Sequence, residues 1–232
     1  MSALEEYWPQ LLGGLGMTVL ITVLGLVLTI IVAFAAGLAR LSRLWVIRAP
    51  AYLFIEVFRG TSLVVQLFWF FYALPFLGIE FTPLTAAVLV LGLNEGSYAA
   101  EIVRGTILSR PRGQTEACIA LGLSPGRRMR RVLIPQSIPA MLPSFGNVFV
   151  DLLKATALVS LVTISDLTFA AQTARNFSGE TTIIFSTILL VYFALAMLLA
   201  GLTRFLEHRF AIDRKATLAS PRWWVFERAG VR

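Results

Sequence analysis

Asn94-Glu95 and Lys154-Ala155-Thr156 are the stretches of this 232-residue chain that could hold a charged ligand, because both fall inside apolar runs. A charge near the centre of a membrane span costs about 2.5–3.5 kcal/mol on insertion scales, so an ionisable group there is a functional hypothesis by default. Glu95 with Asn94 offers an anion and an amide to a cationic group. Lys154 with Thr156, facing across a pathway, offers an ammonium and a hydroxyl to a carboxylate. The alternative is that each side chain is consumed by bonds within a helix bundle. Glu56 and Arg59, at i, i+3 on one helix face, pose the same choice between a gate and a packing pair. Glu101 lies about 9 Å from Glu95 along a helix and is expected to pair with an arginine.

A second kind of chemistry is suggested by residues 111–135. Pro111 opens the region, Ala117, Ile119, Ala120 and Leu121 give a small apolar face, and Gly122 suits the left-handed residue that ends a helix. Ser124-Pro125 then supplies an N-cap and a first-turn proline for another helix, which carries Arg127, Arg128, Arg130 and Arg131. A short helix lying across the end of a bundle makes a plug for a groove in a partner. A basic loop with a little helix is the plainer reading.

The elements that must position these residues are membrane spans. The chain is 57% hydrophobic and 14% charged, against about 45–50% and about 25% in soluble domains. Five stretches are long enough to cross a bilayer core of roughly 30 Å: about 13–39, 50–76, 83–105, 133–160 and 182–206. The leader MSALEEYWPQ carries no Lys or Arg and the first run is long, so it is expected to be a span and not a secretory signal. Thr18, Thr22, Gly25 and Thr29 form a stripe on the first span, and Gly92-x-x-x-Gly96 allows close approach on the third. Pro135, Pro139 and Pro143 predict a kink or late start for the fourth.

Positive charge sets the orientation. Arginines follow the first span (Arg40, Arg43, Arg48), crowd between the third and fourth, and return in the tail at 207–232. The amino terminus is expected outside, with the 106–132 loop and carboxyl terminus in the cytosol. The link around Ser165–Glu180, with Asp166, Arg175 and Glu180, then faces outside as a surface for an external protein or as a solvated loop. The net charge of +7 flanks apolar runs instead of lining one aromatic-studded face, which argues against nucleic acid. Single Cys118 excludes an internal disulfide, and the lone His208 the usual zinc clusters. No HExxH, metal cluster or paired aspartates appear in the spans, and Lys154 and Lys215 follow Leu and Arg, so no phosphate-cradling Gly-Lys-Ser/Thr exists.

The 111–135 region resembles the EAA loop of ABC-importer permeases, which reads E-A-A, three residues, Gly, nine residues, then I-x-L-P. Here Glu116-Ala117-Cys118 precedes Gly122, and Val132-Leu133-Ile134-Pro135 closes the pattern. FRGTSLVVQLF (Phe58 to Phe68), YAAEIVRG (Tyr98 to Gly105) and PQSIPAMLPSFGN (Pro135 to Asn147) are similar to the polar amino-acid uptake subfamily. Pro139 stands where that subfamily often has Arg, and Ala155 and Ala157 where it has Asp and Ser. KATALVSLVTISDLTFAAQ looks most like permeases for ectoine and hydroxyectoine.

The resemblance implies an all-α integral membrane permease of five transmembrane helices with a cytosolic coupling helix, in the bacterial inner membrane. It implies coupling through Glu116, Ala117, Cys118, Gly122 and Pro135 to a cytosolic ABC ATPase dimer, which would bind the ATP; the permease itself would carry no cofactor. A second permease subunit, alike or related, and an extracytoplasmic solute-binding protein would complete the importer. The substrate would be a small zwitterion, an amino acid or ectoine, with Asn94, Glu95, Lys154 and Thr156 as its contacts. An ion-coupled secondary carrier or channel subunit remains the alternative.

Overall fold

The computed structural model describes residues 3–210 and is helical, with no strand among them. Helix α1 spans Ala3–Arg40, α2 Trp45–Gly60 and α3 Leu63–Phe68. The chain continues from α3 through a π turn at Trp69–Ala73 and a 3₁₀ turn at Leu74–Leu77. Then come α4 (Pro83–Leu108), α5 (Arg112–Ala120), α6 (Pro125–Arg128), a π turn (Met129–Leu133), α7 (Ile134–Ala155), a 3₁₀ turn (Thr156–Val162), α8 (Leu167–Ser178) and α9 (Thr181–Phe210). Four continuous helical stretches are long and apolar enough to cross a membrane: Tyr7–Arg40, Pro83–Leu108, Pro125–Val162 and Thr181–Phe210. The fifth expected span is a broken pair, Trp45–Gly60 with Leu63–Leu77, bent by 106°. The tail expected at 207–232 lies, from residue 211 onward, outside the described residues.

Helices α1 and α4 run parallel and form the spine of the bundle. A Cβ placed on Gly92 would meet Leu28 at 2.6 Å, and one on Gly96 would meet Val32 at 2.7 Å. Side chains four apart on α1 thus press into missing side chains four apart on α4. Nearer the arginine-rich end the roles reverse: a Cβ placed on Gly37 of α1 would lie 2.9 Å from the Val103 Cβ and 2.7 Å from the Ala100 carbonyl oxygen. Where lipid surrounds a bundle, such close packing is what drives helices together. At that same end Glu101 pairs with Arg104 at 2.7 Å and Arg40 at 3.6 Å, as its position predicts.

The threonine stripe of α1 is buried, each member against a different neighbour. Thr29 Oγ1 donates to the Gly92 carbonyl at 3.5 Å, Thr22 Oγ1 to the Thr18 carbonyl at 2.8 Å, and a Cβ on Gly25 would touch Leu152 of α7 at 3.3 Å. Thr18 Oγ1 accepts from the Leu167 amide at 3.1 Å, and a Cβ on Gly14 would lie 2.7 Å from the Asp166 carbonyl oxygen. These two residues dock α8 onto α1.

The 165–180 link is therefore not an open loop. Asp166 is the buried N-cap of α8; its carboxylate accepts from the Phe169 and Thr168 amides at 2.9 and 3.2 Å. Burial holds this carboxyl above its ordinary range, although those amide bonds offset part of the rise. Leu167, Ala170, Ala171 and Ala174 then pack on Leu11, Ile184 and Ile188, and Gly179 ends the helix with a φ of 73°. Asp166 is removed from any external docking surface, whereas Arg175 and Glu180 stay exposed.

Both π turns stop just short of a proline. The Leu74 amide, before Pro75, bonds to the Trp69 carbonyl, and the Ile134 amide, before Pro135, bonds to the Met129 carbonyl. Proline lacks an N–H and its ring collides with the carbonyl four residues back, so a widened turn accommodates it. The disturbance foreseen from Pro135, Pro139 and Pro143 is taken up at this one turn. Helix α7 then runs on through Pro139 and Pro143 without interruption.

Candidate functional site

The break between α2 and α3 leaves the last carbonyls of α2 without helical partners, and each one unmet away from water is costly. Three side chains meet that demand. Gln66 Nε2 donates to the Phe58 carbonyl at 2.9 Å and to Thr61 Oγ1 at 2.6 Å, while Thr61 Oγ1 donates to the Val57 carbonyl at 2.7 Å. Asn94 Nδ2, from the middle of α4, donates to the same Phe58 carbonyl at 2.9 Å and to Gln66 Oε1 at 3.1 Å. The FRGTSLVVQLF stretch is thus a helix end, a corner and the side chain that caps it. Arg59 stacks over the Tyr98 ring at 5.2 Å, and the Tyr98 hydroxyl donates to its carbonyl at 3.4 Å. Glu56 and Arg59 share a helix face, but no ion pair joins them among the described residues, and Glu56 is exposed.

Of the four residues expected to face a ligand, two are turned to internal work. Asn94 is committed to the corner. Thr156 is fully buried, and its hydroxyl bonds to the Leu153 carbonyl at 2.7 Å. It cannot share a face with Lys154, because two positions along a helix are about 200° apart.

Glu95 and Lys154 do come onto a common side. Glu95 is 9% exposed and no described side chain lies within hydrogen-bond or ion-pair distance of it. Asp151 of α7 lies within its electrostatic reach. Lys154 Nζ pairs with Asp151 Oδ1 at 3.3 Å, both side chains being open, at 65% and 61% exposure. The acid missing after Lys154 is therefore supplied one turn before it. Asp151 escaped the sequence reading, although its i, i+3 spacing to Lys154 was the available signal. Gln136, Ser144, Asn147, Asp151 and Lys154 form an exposed polar stripe along α7 that no other described residue covers. A stripe of amides and charges does not face lipid stably.

The elbow forms as its sequence predicts. Helix α5 ends in a Schellman motif: the Leu123 amide bonds to the Cys118 carbonyl at 3.0 Å, the Gly122 amide to the Ile119 carbonyl at 2.9 Å, and Gly122 takes a φ of 67°. Ser124 adopts extended N-cap geometry ahead of Pro125, without a side-chain cap bond. Glu116, Ala117, Gly122 and Pro135 are exposed, with Ile119 at 60% and Leu121 at 78%. Cys118 is buried and anchors the helix from within, so it offers nothing to a partner. Arg110 clamps the base of the elbow, donating from Nη1 to the Gln136 carbonyl and from Nε to the Thr106 carbonyl, both at 3.3 Å. The segment that leads into the exposed helix thereby joins the end of α4 to the start of α7, the helices that carry Glu95, Asp151 and Lys154.

Residues 25–212 match the family described as binding-protein-dependent transport system inner membrane component. The chain is 43% identical over 210 residues to a probable amino-acid ABC transporter permease, y4tF, of Sinorhizobium fredii, covering 86% of this chain and 88% of that one. It is 38% identical over 215 residues to the glutamine transport system permease GlnP of Escherichia coli K12, covering 91% and 97%. Among solved structures, an amino acid ABC transporter crystallised with histidines matches with a TM-score of 0.82 at 33% identity, over 89% of this chain and 96% of that one.

Proposed function

The chain belongs to the binding-protein-dependent transport system inner membrane components, and on that premise we propose that it is the permease subunit of an ATP-driven amino-acid-type importer, forming one half of a translocation pathway. The observation that carries the reading furthest is the uncovered stripe of α7 with Glu95 beside it. A second permease subunit, a copy or a relative, closes that stripe into a polar passage. Family membership sets aside the ion-coupled carrier.

The substrate class is a small zwitterion. Its ammonium or amidinium end meets Glu95 and Asp151, and its carboxylate meets Lys154, which Asp151 holds at 3.3 Å but leaves open. Glutamine, arginine and histidine fit this chemistry. So do ectoine and hydroxyectoine, which the stretch from Lys154 to Gln172 resembles.

Energy enters at the elbow. Ile119 and Leu121 of the exposed α5 face seat in a groove of a cytosolic ATPase, which binds the ATP. Closure of the ATPase dimer pulls α5, and the Arg110 clamp transmits the pull to α4 and α7. Substrate arrives from an extracytoplasmic binding protein on the side of α8, with the amino terminus outside and the arginine-rich end in the cytosol of a bacterial inner membrane.

The test is ATP hydrolysis in proteoliposomes by the permease assembled with its ATPase and binding protein, with ectoine, arginine, glutamine and histidine added in turn. Stimulation by one or more supports the importer and names its ligand. Assembly without stimulation by any zwitterion overturns the substrate class.

A further inference from the structure

We infer that the arginine-rich end of the bundle carries a binding site for the headgroup of an anionic phospholipid, apart from the transport pathway. The site is an open basin of about 580 Å³ between the end of α1, the first turns of α2 and the end of α4, lined by Arg40, Arg43, Arg48 and Arg104 with Trp45 and Tyr52. Four guanidinium groups converge on it, and one carboxylate, Glu101, compensates Arg40 and Arg104. Arg43 and Arg48 have no carboxylate within ion-pair distance among the described residues. The basin therefore holds an excess of positive charge on a scaffold already fixed: Arg40 is held by Glu101 and stacks over Tyr52 at 4.5 Å. Planar guanidinium forks match phosphate oxygens in pairs, which favours a phosphate-bearing anion.

The rim selects the source of that phosphate. Trp45 is 70% exposed at the mouth, and the neighbouring Leu44 and Val46 are exposed as well, beside the end of an apolar span. A soluble anion gains nothing from such a rim. A phospholipid lays its acyl chains along it while a tryptophan sits at headgroup level. Basic pockets between spans at one membrane face are suited to such headgroups.

The complex of permease and ATPase is reconstituted in phosphatidylcholine vesicles carrying traces of spin-labelled phosphatidylglycerol or spin-labelled phosphatidylcholine, and the immobilised fraction of each is measured. The expected result is a preference for phosphatidylglycerol of roughly ten-fold in the wild-type protein. R43Q/R48Q brings the preference close to one, and R43K/R48K, which keeps the charge but loses the paired fork, restores only part of it. Equal retention of the two lipids by the wild-type complex overturns the proposal, whatever the variants do. So does an undiminished preference in R43Q/R48Q. Displacement of the labelled lipid by millimolar inorganic phosphate would assign the basin to a soluble anion and overturn the lipid reading.

Discussion

The Asn94 amide donates to the Phe58 carbonyl at 2.9 Å, so a helix that stops inside the bundle is capped by a residue of another span. The same carbonyl accepts from Gln66, whose own carbonyl oxygen accepts from Asn94. Each of the three groups is satisfied by the other two, and removing one strands another.

Asn94→Ala is expected to cost about 1–3 kcal/mol, because the Gln66 carbonyl oxygen is left buried without a donor. Thermal unfolding of the detergent-solubilised complex checks this. Asn94→Asp should be at least as damaging, since it brings a second acceptor against the Phe58 carbonyl. A melting temperature unchanged in both variants would show that the corner does not depend on Asn94.

Glu95→Gln keeps the shape of the side chain and removes its charge. Substrate-stimulated ATP hydrolysis and uptake should fall by two orders of magnitude or more, at roughly 1.4 kcal/mol per factor of ten, with assembly on the ATPase unaffected. Asp151→Asn should cost less, because Lys154 keeps its charge but loses its anchor. Wild-type uptake by Glu95→Gln would remove Glu95 from the substrate path.

On the exposed face of α5, Ile119→Asp and Leu121→Asp should each release the ATPase, since an unpaired carboxylate would be buried in its groove. Copurification of the two subunits reads this out, with the permease still folded. The buried Cys118 serves as a control: a maleimide should label it at least ten-fold more slowly in folded than in denatured protein. Retained ATPase in both aspartate variants would move the coupling surface elsewhere.

Gly14→Ala should destabilise the bundle by about 1–3 kcal/mol. The added methyl would meet the backbone of Asp166 and Leu167 at 2.7–2.9 Å, and backbone cannot rotate aside. Gly16→Ala, two residues on, meets nothing within 4 Å and should be neutral or slightly stabilising, because alanine is the better helix former. The difference between their melting temperatures isolates the α1–α8 contact.

Much of this architecture was legible because its signals are local. Gly122 and Ser124-Pro125 announce the elbow through their own backbone preferences, and Gly92 and Gly96 announce a close crossing by their size alone. The α2–α3 corner was not legible. The run at about 50–76 is apolar enough to read as one span, and the corner at Thr61-Ser62 is stabilised by Asn94, far away in sequence. Helix α8 reads as a link in the sequence because it is short and only one face is apolar, although the Asp166 cap and Gly179 stop mark its ends. Asn94 and Thr156 looked like ligand groups for the same reason: a polar residue in an apolar run gives no sign of whether its partner is a substrate or a neighbouring carbonyl.

The corner at Phe58 also dictates an order of biogenesis. The ribosome delivers Phe58 thirty-six residues before Asn94, a lag of roughly two to seven seconds at bacterial elongation rates. Helix α2, with sixteen residues, is about 24 Å long and cannot by itself cross a bilayer core of about 30 Å. During that interval the half-made protein holds an unfinished span. Its broken helix end is capped by Gln66 alone, whose own carbonyl oxygen has no donor until α4 brings Asn94.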